Sequence, residues 1–255
     1  MRIVSLCPSL TELLFDLDLG GSIVGRTRFC VHPADRVDEV EKVGGTKNPK
    51  LERIIALDPD LVLLNEEENR REDADALVAA GIPCHVSMPR TVAETAEMVR
   101  SIGAAVGRGS EAGRIAGDIE TRAARVRRNA RSQQPVSFAY LIWRDPLMTV
   151  NADTFVSSLL TLAGGRNAFA GERDRYPEIE SGRLATADPG VVMLSSEPFP
   201  FSEHNAQELG RLTGLPGDRF RLVDGELLSW HGSRTPAGID YAESVIREAR
   251  AASGR

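Results

Sequence analysis

The sequence predicts an α/β protein of two Rossmann-like βα lobes joined by a single long backbone helix. Three observations carry this prediction. Strand and helix patterns alternate along the chain, as layered α/β folds require. One amphipathic pattern runs unbroken from 110 to 133, with apolar residues at Ala112, Ile115, Ala116, Ile119, Ala123, Val126 and Ala130. Finally, a stretch is written twice: "DPDLVLLNEEEN" from 58 and "DPGVVMLSSEPF" from 188 superpose without a gap. Asp58-Pro59 falls on Asp188-Pro189, Val62-Leu63-Leu64 on Val192-Met193-Leu194, and Glu67 on Glu197. The expected organisation is an N-terminal lobe over 1–108, the linking helix over 109–133 and a C-terminal lobe over 134–255.

Taken in order, "RIVSLCPS" reads as a short apolar strand followed by a Pro-Ser helix start. "SLTELLFDLDLGG" has helical periodicity at Leu10, Leu13, Leu14 and Leu17 and a Gly-Gly stop at Gly20-Gly21. "SIVGRT" is a strand, and "NPKLERIIAL" a short helix broken by Asp-Pro. "DLVLLN" is a strand whose near-continuous apolar run, Leu61 to Leu64, suits a parallel sheet covered on both faces. "RREDADALVAAG" is a helix, "PCHVSM" a strand, and "TVAETAEMVRSIGAAVG" a helix with Thr91 as N-cap. After the long helix the pattern restarts with "VSFAYLIWR" as a strand and "TFVSSLLTLAGG" as a helix with a second Gly-Gly stop. "GRLATADPG" is a short helix, "VVMLSS" a strand, "AQELGRLTGL" a helix, "FRLVDGELL" a strand region and "TPAGIDYAESVIREARAA" the last helix.

Composition narrows the function. A net charge of −6 across 255 residues argues against nucleic acid as a partner, since phosphate binding needs a concentrated basic surface. The one basic run, "RAARVRRNAR" over 122–131, reads as a solvated helix face. The three cysteines, Cys7, Cys30 and Cys84, have no metal-type spacing and no evident disulfide framework. No apolar run approaches the ~20 residues that span a membrane. The opening residues read as a first strand, so the chain as written is expected in the cytoplasm, and in the periplasm or membrane-anchored if a leader was removed. It is expected to be a monomer.

In open α/β sheets, ligands bind beyond the carboxyl ends of the strands. Those ends carry His32, Asn65, Glu66, Trp143, Arg144, Glu197, Phe199, His204, Trp230, His231 and Arg234. Both tryptophans and three of the four histidines fall there, in a chain only 5% aromatic. Trp143, Trp230, Tyr176 and Phe199 would form apolar walls, and Arg144 and Arg234 would fork onto ligand carboxylates or phosphate. His32, His204 and His231 are the candidate metal ligands, since imidazole suits zinc, iron and cobalt. Catalytic signatures are missing: there is no G-x-S-x-G elbow, P-loop, G-x-G-x-x-G or H-E-x-x-H. Cys30 and His32, two residues apart, make a weak nucleophile-base pair.

"RIVSLCPSLTELLFDL", "GGTKNPKLERIIALDPDLVLLN", the helix over 110–133, and "VSSLLTLAGGRNAF" followed by "YPEI" resemble the class III substrate-binding proteins of ABC importers. This group, the helical backbone metal receptors, carries cobalamin, ferric siderophores, haem or bare metal ions, and the cobalamin-binding members look most similar. The resemblance implies a non-catalytic protein holding a metal chelate in the inter-lobe cleft, with no required cofactor beyond a bound corrinoid or iron chelate as ligand. It implies aromatic contacts where this chain has His32 and Tyr176; a third falls on Asn65, which is not aromatic. It also implies an ABC permease as partner, docked through one glutamate per lobe. Those positions hold Arg71, with Glu72 beside it, and Gly182, with Glu180 nearby. The alternatives are a cytoplasmic enzyme or chaperone acting on such a chelate, or a bare metal-ion binder.

Overall fold

The computed structural model describes residues 1–253. The protein is α/β and divides into two compact units. One comprises Met1–Pro89, Glu94–Gly117 and His231–Arg234; the other comprises Arg90–Ala93, Asp118–Trp230 and Thr235–Arg255.

The first unit contains β1 (Ile3–Ser5), α1 (Pro8–Asp16), β2 (Ile23–Arg26), α2 (Leu51–Ala56), β3 (Leu61–Asn65), α3 (Arg71–Ala79), β4 (Cys84–Ser87) and most of α4 (Val92–Ala105). Its sheet runs β2-β1-β3-β4 and is parallel throughout. β3 is buried at every position, which is why its sequence does not alternate. Val4, Leu6, Val62 and Leu64 pack with Val43, Ile54, Leu77 and Ile82. Each such side chain stabilises the fold by roughly 1.5–3 kcal/mol.

The helix α5 (Gly109–Ala130) has 22 residues, about 33 Å of helix, and supplies residues to both units. The second unit continues with β5 (Val136–Leu141), β6 (Trp143–Arg144), β7 (Leu147–Met148), α6 (Phe155–Leu162), β8 (Gly165–Asn167), α7 (Ser181–Ala187), β9 (Val191–Ser195), α8 (Glu203–Thr213), β10 (Phe220–Val223), α9 (Gly225–Ser229) and α10 (Thr235–Ser253). Its main sheet, β10-β9-β5-β8, is also parallel. If β5, β8, β9 and β10 are matched to β1, β2, β3 and β4, the two sheets have one strand order. The Asp-Pro corners match as well: Asp58 and Asp188 both take left-handed backbone, with φ of 45° and 44°. The basic run of α5 is not simply solvated. Arg122 pairs with Asp118 and Asp240, and Arg125 reaches Asp240 at 2.5 Å and Glu243 at 2.6 Å.

Several local expectations change. "VSFAYLIWR" is two strands: β5 ends at Leu141, and Trp143-Arg144 turn back against Leu147-Met148 as an antiparallel hairpin. "FRLVDGELL" is half helix, because the Asp224 carboxylate accepts from Leu227 N at 3.0 Å and so caps α9. The first Gly-Gly does not stop α1. Asp18 takes the left-handed position (φ 58°), and Gly20–Ser22 form a separate 3-10 turn. Gly165 opens a strand that the helical pattern concealed.

Candidate functional site

In the first unit, β3 ends in Asn65, whose side chain organises the acidic loop behind it. Its Oδ1 accepts from Glu67 N at 2.9 Å and Glu68 N at 3.3 Å, and Asn69 Oδ1 accepts from Asn65 N at 2.8 Å. Asn69 in turn donates to Leu6 O and Thr46 O, both at 3.0 Å. The burst of glutamates therefore belongs to a side-chain-capped turn. Glu66 is exposed, whereas Glu68 is half-buried, and its desolvation raises its pKa.

With Oδ1 facing two N–H groups, Asn65 presents Nδ2 to His231 Nε2, 3.0 Å away. Nε2 must then accept, which leaves the ring proton on Nδ1, 3.4 Å from Ser9 Oγ. Burial pushes His231 down to about 4, against a smaller upward pull from Glu67. Arg234 lies three residues on and forks onto Glu12 at 2.6 and 2.8 Å. Cys7 is buried beside Ser9, and burial pushes its thiol up to about 12, far from a nucleophile's range.

The loop after β2 carries His32, which is half-buried, and also Phe29 and Val31, 47% and 46% exposed. Sequence reasoning passed over these two. Cys30 between them is fully buried while both of these large apolar side chains face solvent, but the segment is a turn, so the sequence offered no periodic signal for it.

In the second unit, Trp143 is 39% exposed, with its indole N–H on Asp145 O at 3.0 Å. Phe199 meets its ring edge-on at 5.9 Å and meets Phe201 at 4.9 Å. Tyr176 is exposed, with the Arg175 guanidinium 5.9 Å from its ring centre. Glu197 sits where Glu67 sits in the first unit. Its Oε1 accepts from Trp230 Nε1 at 2.7 Å and from Ser229 Oγ at 2.9 Å. Gly225 allows this approach, since a Cβ there would fall 2.6 Å from Glu197 Cγ.

These placements revise several sequence expectations. Trp230, expected as an apolar wall of the ligand site, is buried and tied to Glu197 because its polar N–H needs a partner inside. Arg144, expected on a ligand anion, pairs with Glu208 at 2.6 Å, and Arg234 pairs with Glu12. His231, expected at a metal, has both ring nitrogens facing protein groups. His204 is exposed on α8. Among the described residues, no three or more His, Cys, Asp or Glu side chains gather as a metal-ion site, and the histidine trio is no exception. The exposed or half-exposed remainder is Phe29, Val31, His32 and Glu66 in one unit, and Trp143, Tyr176, Phe199 and His204 in the other.

Both parallel sheets place their candidate side chains at strand ends, as open α/β sheets do for ligands, and the chain belongs to the periplasmic binding protein family, whose model matches residues 3–213. Its relatives are more particular. It is 27% identical over 251 residues to the vitamin B12-binding protein of Vibrio parahaemolyticus serotype O3:K6, covering 97% of this chain and 91% of that protein. It is 31% identical over 195 residues to the vitamin B12-binding protein of Yersinia pseudotuberculosis serotype O:3, covering 76% and 69%. Among solved structures, the periplasmic vitamin B12 binding protein of Vibrio cholerae has a TM-score of 0.84 at 22% identity, with 97% of each chain covered. The periplasmic heme-binding protein of Roseiflexus sp. RS-1 has a TM-score of 0.83 at 24% identity, with 99% and 98% covered. These two structures establish the shared fold.

Proposed function

We propose that the chain is a non-catalytic binding protein for a flat metal chelate of the corrinoid or haem type, delivered to an ABC permease. The observation that carries this reading is the likeness to a vitamin B12-binding protein along 97% of the chain. The exposed aromatics suit such a ligand, because a macrocycle's flat face is best covered by rigid rings. Phe29 and Val31 are the proposed walls in the first unit; Trp143, Tyr176 and Phe199 are those in the second.

The test is titration of purified protein with cyanocobalamin, hemin and a ferric hydroxamate chelate, followed by calorimetry and tryptophan fluorescence. One of them should bind and quench Trp143, and Trp143→Ala should weaken it by about 1–3 kcal/mol. Binding of none would overturn the reading and favour an enzyme or a bare metal-ion binder.

The family's description motivates a further part of the proposal, that the chain works outside the cytoplasmic membrane. Among the described residues, no helix is long and apolar enough to cross a membrane. The proposed docking groups are Glu72, in the first turn of α3, and Glu180, the N-cap residue of α7, both exposed. Glu72→Arg and Glu180→Arg should each abolish chelate uptake in cells while leaving chelate binding unchanged; unimpaired uptake in both would remove the glutamates from the docking surface.

A further inference from the structure

Arg26 is among the largest fully buried side chains of the protein, at 1% exposure, and it is charged. Burying a guanidinium is costly unless each donor is met. Here they are met almost entirely by one loop. Nε donates to Val37 O at 2.8 Å; Nη1 donates to Cys30 O at 2.8 Å and Thr27 O at 3.3 Å; Nη2 reaches Asp38 Oδ1 at 2.6 Å. Arg26 is the last residue of β2, so the strand end grips both ends of the segment 27–38 through a single planar fork.

The segment is held from beneath as well. Thr11 and Thr27 hydroxyls lie 3.0 and 3.2 Å from Cys30 Sγ, and Phe29 N donates to Thr27 Oγ1 at 3.3 Å. Arg28 N donates to Gly44 O at 2.8 Å. Phe29 and Val31 are thus exposed on a segment tied down at Thr27, Arg28, Phe29 and Cys30. A loop needs no such frame merely to pass through solvent.

We infer that Arg26 is a positioning residue for ligand recognition: its buried fork fixes the 27–38 loop so that Phe29 and Val31 present a preformed apolar face to a flat macrocyclic ligand. This rests on the chelate-binding reading above. Preorganisation of this kind strengthens binding because the ordering cost is met on folding rather than on association.

The experiment uses Arg26→Lys, which keeps the charge but has one donor point in place of the fork, and the milder Asp38→Asn. Each is compared with wild type and with Phe29→Ala by amide hydrogen exchange and by the Kd for cyanocobalamin and hemin, counted per active molecule. Arg26→Lys should speed exchange selectively at 27–38 and weaken the bound probe at least tenfold. In the double variant Arg26→Lys/Phe29→Ala, the loss should be clearly less than the two single losses combined, since both act through the same ring. Asp38→Asn should shift both readouts in the same direction by a smaller amount. A purely structural role would lower Tm and leave Kd per active molecule unchanged, which overturns the inference, as does unchanged exchange at 27–38. If wild type binds neither probe, the chelate reading fails separately, and the exchange measurement still decides whether Arg26 holds the loop.

Discussion

Lowering the pH from 6.5 to about 4 should destabilise the protein by about 3 kcal/mol through His231 alone. The folded pKa lies below the ordinary 6.5, so the folded state disfavours the proton. The stabilisation is therefore complete above 6.5 and is lost as the pH falls toward 4. The cause is first burial, and then polarity. A proton on Nε2 would face the Asn65 amide N–H, and flipping that amide would cost the two backbone N–H groups of Glu67 and Glu68 their acceptor. Glu67 is the nearby charge that favours protonation, and it does not offset burial. Urea melts from pH 8 to pH 4 should show this slope, and His231→Gln should flatten it. An unchanged slope in His231→Gln would assign the acid sensitivity to other groups.

Trp230→Ala should cost about 3–5 kcal/mol and lower Tm by on the order of 10 °C. The indole is 8% exposed, so its removal leaves a large void, and Glu197 loses the 2.7 Å donor that holds its carboxylate. Trp143→Ala, at an exposed ring, should leave Tm nearly unchanged. Calorimetry on the two variants separates the roles: equal Tm losses would contradict the buried assignment. Any ligand-induced quenching should survive Trp230→Phe and disappear with Trp143→Ala.

The frame was legible because it rests on local signals. Asp-Pro followed by an unbroken apolar run marked both central strands, and the 3.6-residue period marked α5. What escaped depends on partners distant in sequence. His231 and Arg234 read as ligand groups because Ser9 and Glu12 lie 222 residues away. Trp230 read as a ligand wall because Glu197 is 33 residues away. Phe29 and Val31 were missed for the opposite reason: an irregular loop has no period, and only the burial of Cys30 reveals which way its neighbours point.

The matching strand orders have a consequence for experiment. One backbone corner occurs at Asp58 and again at Asp188, and each leads into a central strand whose last residue meets a different socket. In one copy that residue is Asn65, wired to an imidazole; in the other it is Ser195, which accepts from the Tyr140 hydroxyl at 2.8 Å and donates to Glu197 O at 2.6 Å. The molecule thus contains its own control. The same substitution made at Asp58 and at Asp188 tests one backbone corner in two surroundings, so the difference between the two responses reports what the surroundings of each contribute.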